Sequence, residues 1–500
     1  MMSKSLCGAI RPLALAAACS IAGVAGAEDA REPIDLIPAD SLLCWYGRPL
    51  PDTTPAPEQP STLQTLVEVG ARLASGPLEA GTQLNLRLAE LFGLMVRYPH
   101  AVALIDARAK PTTTTEPTVR RIDRLRFAMV VQVGEQTEPF LRIIQKTVNE
   151  QTNSGAATLV SEKAGRWTYQ ELRDQRLPEW AVIAWGQLDG HFVLTVGPNV
   201  WRTIAAVADG DEQSLAGEPW YAVARAKRRR TALIEIFVAA RELQERLDPF
   251  VDGRASGFFR AWDAGDLRQA HWALGFAERA LFCVAHFRLR GSGEKEEDTT
   301  VRRVYADPDN RDPYLLAAIP PDARYAIFDV PVERLLARFF RGLLALQGAK
   351  ARANIERIWA EAQAQYGFDA ERGLLANLGE RIVLHNDPPH PLHLPLAMTI
   401  LIEIRDEPAT VRQTVETLCS AWRAVLDEAA AKGGGKPPFR LRRDEDGVWY
   451  LRYDLAGPDW LGLAGPAWIV TDRYIILSWS PVALREYLEK VPDEVTRRSR

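Results

Sequence analysis

The chain has 500 residues, 47% of them hydrophobic and 25% charged, with 61 Lys and Arg against 65 Asp and Glu and a net charge of −4. That composition excludes a disordered chain, and the length suggests two or three domains with material for sizeable cores. The mild acidity argues against nucleic acid as a general partner, and the absence of a later run of about 20 apolar residues argues against a transmembrane helix in the mature chain.

Lys4 and Arg11, the apolar run Leu13 to Val24, and Ala25-Gly26-Ala27 before Glu28 have the order of a secretory signal peptide, 1–27. The mature protein is therefore expected in the periplasm or cell envelope, with a lipid anchor at Cys19 as an alternative. Three cysteines follow, Cys44, Cys283 and Cys419. So sparse a set is not a disulfide framework, and buried free thiols are expected, although spacing alone leaves one disulfide open.

The segment "IPADSLLCWYGRP" at 37–49 recurs as "IPPDARYAIFDVP" at 319–331. Pro and Asp make a turn, and a strand follows, "LLCWY" or "YAIF". In the second copy, Val332, Leu335, Leu336, Phe339, Phe340, Leu343 and Leu344, then Ile355, Ile358, Trp359, Ala362 and Tyr366, recur at helical spacing. These faces are expected to lie against a sheet. A membrane-surface role is the alternative, disfavoured because the polar side lacks a large Lys and Arg excess.

Next, "AMVVQVGEQTEPFLR" from Ala128 matches "AMTILIEIRDEPATV" from Ala397, each a strand followed by a helix that starts near Pro139 or Pro408. Trp167 matches Trp449. "WGQLDGHFVLTVGPNVWR" at 185–202 lies over "WIVTDRYIILSWSPVALR" at 468–485 without a gap, pairing Trp185 with Trp468 and Arg202 with Arg485. Asp189-Gly190 predicts a tight hairpin, Asp472-Arg473 a looser one, and Ser480 caps the last helix. The first copy adds a strand at "ALIEIFV", a helix at "AARELQERL" and two strands around Glu278-Arg279. Before them lies "RAKRRR" at 225–230, expected to be a solvated helix face.

Blocks recurring in one order predict an α+β protein of two tandem related lobes, each a mainly antiparallel sheet covered on one side by helices. The expected division is a signal peptide 1–27, a first lobe 28–290 with extra C-terminal strands, a linker 291–313 and a second lobe 314–500. This pattern resembles an uncharacterised family of exported bacterial proteins, a domain of unknown function. The resemblance implies the two-lobe layout over roughly Ile34 to Leu488 and supplies no activity, cofactor or catalytic residue.

His385, Asp387, His390 and His393 in "HNDPPHPLH" are candidate ligands for zinc or another divalent ion, since imidazole and carboxylate are suitable donors. Against this, the prolines make an irregular loop, and the first copy has no histidine there. Asp40 and Asp322, or Asp189 and Asp472, are candidate acid pairs for a hydrolase, but each sits in a turn where its side chain can serve the backbone. Trp167, Trp185, Trp449 and Trp468 are expected to pack in cores rather than hold sugars. There is no GxSxG, HExxH, CxxC or GxxxxGKS motif. The expectation is an exported non-enzymatic binding or scaffold protein without a cofactor, its partner an unknown envelope component or protein. The alternative is an envelope-polymer hydrolase with a site between the lobes.

Overall fold

The computed structural model describes residues 31–49, 90–110, 121–290, 299–386, 398–433, 439–453 and 465–497, apart from 153–154, 156, 176, 228–230, 252–253, 263–264, 311 and 348. Residues 1–27, expected to be a signal segment, lie outside the described residues together with Cys19. The chain divides into two compact units. Unit 1 comprises residues up to Ser256 with Gly265–Gly275 and Val284–Arg303; unit 2 comprises Gly257–Ala264, Phe276–Cys283 and Val304–Arg500.

Unit 1 contains β1 (Leu43–Gly47), β2 (His100–Lys110), β3 (Arg121–Gln132), β4 (Ala157–Ala164), β5 (Trp167–Asp174), β6 (Ile183–Leu188), β7 (His191–Val196) and β8 (Ile234–Val238), and most of β9 (Leu267–Ala277) and β10 (Ala280–Leu289). Antiparallel pairing gives the order β4-β5-β6-β7-β3-β2-β1-β8-β9. After β11 (Thr299–Ala306), unit 2 contains β12 (Tyr325–Asp329), β13 (Leu378–Asn386), β14 (Met398–Ile404), β15 (Phe439–Arg443), β16 (Trp449–Tyr453), β17 (Ala467–Val470) and β18 (Tyr474–Ser478). Its antiparallel order is β15-β16-β17-β18-β14-β13-β12, and β12 also makes one parallel bridge, Tyr325 to Ala280.

Both faces of each sheet are buried, where the sequence suggested one covered side. In unit 1, Cys44, Tyr46, Ala101, Ala103, Val130 and Val193 pack under α2 (Val200–Asp209) and α3 (Pro219–Ala226). The alternate residues Trp45, Val102, Met129, Val131 and Phe192 pack under α1 (Glu138–Thr152) and the helical turn holding Leu91 and Met95. Unit 2 repeats the division: Ile327, Val383, Leu401 and Ile476 face one layer, and Ile404, Val470 and Ile475 face another, with Val411, Val415 and Cys419 of α8 (Pro408–Gly433). Near-continuous apolar strands such as "AMVV" require this, because each successive side chain points to the opposite face.

The pairing also corrects how the repeated letters correspond. In unit 1 a cross-strand row runs Tyr46, Ala101, Val130, Val193; in unit 2 the row at the same place runs Ile327, Val383, Leu401, Ile476. Tyr46, not Trp45, therefore stands where Ile327 stands. Laid over the row Trp449, Trp468, Leu477, the row Gln170, Trp185, Leu194 sets Trp185 with Trp468, but Gln170, not Trp167, with Trp449. Residues 163–168 separate Glu162 from its partner Tyr169, whereas only 445–447 separate Asp444 from Val448, whose carbonyl accepts the Asp444 N–H at 3.0 Å. Trp167 sits in the longer hairpin's extra length, against the first layer of unit 1.

Two boundaries differ as well. The expected linker 291–313 contains β11, and a short helix starts at Pro313. The β9–β10 tip, Phe276–Cys283, belongs with unit 2, where the Arg279 guanidinium donates to the Pro320 carbonyl at 3.2 Å and the Arg324 guanidinium lies 5.1 Å from the Phe276 ring.

Candidate functional site

Five histidines are described, and all are buried: His100, His191, His271, His286 and His385. His385 is part of strand β13, not of a loop, and its ring centre lies 4.9 Å from that of Tyr487. Burial pushes its pKa down to about 4. Asp387, His390 and His393 lie outside the described residues. Among the described residues, no group of three His, Cys, Asp or Glu is placed to hold a metal ion.

A buried polar cluster lies in unit 1. Glu235 of β8 is 1% exposed. One carboxylate oxygen accepts the Tyr221 hydroxyl at 3.2 Å and contacts His271 Nε2 at 3.0 Å; the other accepts from Arg225 Nε at 3.4 Å. Arg225 and Arg48 both pair with Glu32, and Arg48 Nε donates to the Tyr46 hydroxyl at 2.8 Å. Burial pushes the Glu32 pKa up, but the bonds and charges of Arg225 and then Arg48 outweigh it and hold the carboxyl below its ordinary value. The His271 and His286 rings stack with centres 5.9 Å apart. Burial first, then the neighbouring charges of His271, Arg302 and Lys227, push His286 down to about 4.

Glu, His, Tyr and Arg at these distances are a proton-transfer set by type, yet His271 and His286 are 0% exposed, so no substrate reaches them. The cluster fastens α3 to β8 and β9 instead. From sequence alone Arg225 belongs to a basic run expected on a solvated face. It is drawn inward because its turn of α3 faces Glu235, a pairing of elements distant in sequence. Nothing in "ALIEIFV" distinguishes Glu235 from a solvent-facing residue; its position opposite Tyr46 and Ala273 becomes visible only in the pairing.

An open cleft lies in each unit beside an arginine of the helix that follows β6–β7 or β17–β18. In unit 1 a cleft of about 540 Å³ is lined by Tyr169, Glu171, Arg173, Glu179 and Arg202, among others. Arg202 reaches the Tyr169 hydroxyl at 3.2 Å and Glu162 at 3.4 Å. In unit 2 a shallow depression of about 550 Å³ is lined by Arg443, Asp444, Glu445, Asp446 and Arg485, and both Arg485 nitrogens bond Asp444, at 3.0 and 2.8 Å. Neither is lined by histidine or cysteine; Arg173 pairs with Glu171 and Arg485 with Asp444. Asp40 and Asp322 are exposed turn residues. Asp189 sits 3.4 Å from Arg166, and Asp472 is 2.7 Å from Arg412, so these two serve ion pairs as well as turns. The three described thiols are free and buried, and burial pushes Cys283 and Cys419 up to about 11.

The remaining candidate is a surface. Of the faces expected to lie against the sheet, on α6 (Val332–Ala345) and α7 (Ala349–Tyr366) of unit 2, only the start of α6 does so, with Val332 and Leu336 packed in the second layer. On α6 only Val332 and Gly342 are buried. A Cβ on Gly342 would stand 2.8 Å from Trp262 Nε1 and 3.1 Å from the Phe258 ring, which shows where this helix is held. Away from that contact, Phe339 is 46%, Phe340 55% and Leu343 41% exposed. On α7 every residue from 352 to 360 is exposed, including Ile355, Ile358 and Trp359. An apolar stripe at helical spacing shows that a face wants cover without showing that the fold provides it.

No protein-family model and no curated protein matches the chain. Among solved structures, crystal forms I, III and IV of TP0453 are similar to it over 54%, 54% and 55% of this chain and 83%, 84% and 92% of that one. Identities are 8%, 7% and 6%, and TM-scores 0.25, 0.26 and 0.25. At these TM-scores the likeness carries nothing over to this chain. No helix among the described residues is long and apolar enough to cross a membrane.

Proposed function

We propose that the chain is an exported, non-enzymatic binding or scaffold protein of the periplasm or cell envelope, built from two copies of one sheet-and-helix unit, and that it binds through the apolar surface of α6 and α7. The observation that carries this reading is the exposure of Phe339, Phe340, Leu343, Ile355, Ile358 and Trp359 along two consecutive helices. Contiguous apolar surface beyond scattered single residues marks an interaction site. The common strand order supports the duplication, as does the recurrence of an Arg–carboxylate pair, Arg202 with Glu162 and Arg485 with Asp444. The hydrolase reading draws no support from the described side chains: the described histidines are buried, Asp40 and Asp322 sit in turns, and Asp189 and Asp472 sit against arginine.

The test is amide hydrogen exchange on the purified chain, in buffer and in envelope extract. Residues 352–360 are expected to exchange fast in buffer and to slow at least tenfold in extract. Unchanged exchange in extract would overturn the reading.

A further inference from the structure

Resting on that reading, we propose that α6 and α7 dock on an anionic lipid surface, their apolar stripes entering the boundary between headgroups and acyl chains. On α6, Phe339 and Leu343 are one turn apart, with Phe340 beside them; Arg334, Arg338 and Arg341 follow from the same periodicity onto the opposite arc. On α7, Ile355, Ile358 and Trp359 form one stripe at three- and four-residue spacing, with Lys350 and Arg357 on the other side. Aromatic and aliphatic residues on one arc with Lys and Arg on the other is the pattern of a helix lying in a membrane interface.

Charge selects the occupant. From Val332 to Tyr366 the chain has six basic residues, Arg334, Arg338, Arg341, Lys350, Arg352 and Arg357, against Glu333, Glu356 and Glu361, in a chain whose net charge is −4. The local excess, modest on α6 alone, gains its weight from standing beside the exposed Phe339, Phe340, Leu343, Ile355, Ile358 and Trp359. A second copy would bring an equally basic surface against this one, whereas phosphate headgroups complement it. The exposure of residues 352–360 on all sides also leaves the polar arc free to meet headgroups, which burial in a protein groove would obstruct.

The experiment is co-sedimentation of the full chain with vesicles of phosphatidylcholine alone or containing phosphatidylglycerol. Because residues 1–27 are themselves apolar, the comparison is between forms that all carry them: wild type, Phe339→Ser/Phe340→Ser/Trp359→Ser, and Arg334→Glu/Arg341→Glu/Arg352→Glu. All altered residues are exposed, so an unchanged melting curve is expected to confirm folding. The proposal expects wild type to prefer phosphatidylglycerol vesicles by at least tenfold, each variant to lose at least tenfold, and binding to weaken with salt. Equal sedimentation of all three forms would overturn it, as would self-association of wild type abolished by the aromatic variant. Slowed exchange at 352–360 in envelope extract, with no effect of phosphatidylglycerol vesicles, would leave the binding role standing and remove the lipid. Vesicle binding with no protection in extract would support the lipid contact and remove the envelope role.

Discussion

Units 1 and 2 join strands in the same order, yet they spend their polar residues differently. Unit 1 buries Glu235, His271 and His286 on the strands beyond β1 and closes them with Arg225 and Tyr221 of α3. Beyond β12 unit 2 has single bridges, to Ala280 and from Phe328 to Ala306 of β11, and it keeps its Arg485–Asp444 pair near solvent. The turns differ in parallel. Asp189 and Gly190 both have positive φ, 43° and 74°, as a two-residue hairpin requires. The corresponding turn of unit 2 instead ties Thr471 to Tyr474, the Thr471 hydroxyl accepting the Tyr474 N–H at 3.0 Å. A shared strand order thus tolerates different local solutions, provided both faces of the sheet stay apolar.

Acid should separate the units most strongly. His100 and His286 in unit 1 and His385 in unit 2 are each pushed down to about 4 by burial. Each is held neutral in the folded chain while the unfolded chain titrates near about 6.5, so the unfolded state binds more protons between these values. Their stabilising contribution is complete above about 6.5 and is lost as the pH falls toward about 4, by roughly 3 kcal/mol per histidine. Unit 1, with two of them and a lowered His191 besides, is expected to unfold at higher pH than unit 2. Peptide-resolved hydrogen exchange across an acid series checks the order; simultaneous opening would count against it.

A smaller difference is expected from the two carboxylates. Glu235→Gln removes the charge that Tyr221, His271 and Arg225 bond, although Arg225 keeps Glu32, and should destabilise unit 1 by roughly 2–3 kcal/mol, the range for a buried hydrogen bond to a charged group. Asp444→Asn breaks a pair near solvent and should cost about 1 kcal/mol or less. Urea denaturation followed by exchange in each unit reads both. Smallest is the turn: Gly190→Val is expected to destabilise unit 1 by about 1–2 kcal/mol, because a β-branched side chain resists positive φ, while Arg473→Val should leave unit 2 nearly unchanged in the same assay.

The strands were legible where β-branched runs met turn signals: "YAIF" became Tyr325–Asp329, "AMTILIEI" became Met398–Ile404 and the turn at Glu278-Arg279 became a hairpin. Ser480 caps its helix as expected, accepting the Val482 N–H at 3.2 Å. What escaped was information held between elements. Matching letters placed Trp167 over Trp449, because a linear comparison absorbs a length change in a hairpin that pairing exposes. Likewise the periodicity of Phe339, Leu343, Ile355 and Trp359 is the same whether or not another surface lies over it, so the candidate site was visible as a pair of helices and invisible as a free face.

The three buried thiols give each unit a chemical clock. Cys44 lies in the interior of unit 1 and Cys419 in that of unit 2, and only a thiolate in contact with water reacts quickly with a disulfide reagent. Modification at either position therefore has to wait for its own unit to open. A single reaction, followed by mass spectrometry at the two peptides, would time both openings in one sample without a probe being engineered into the chain.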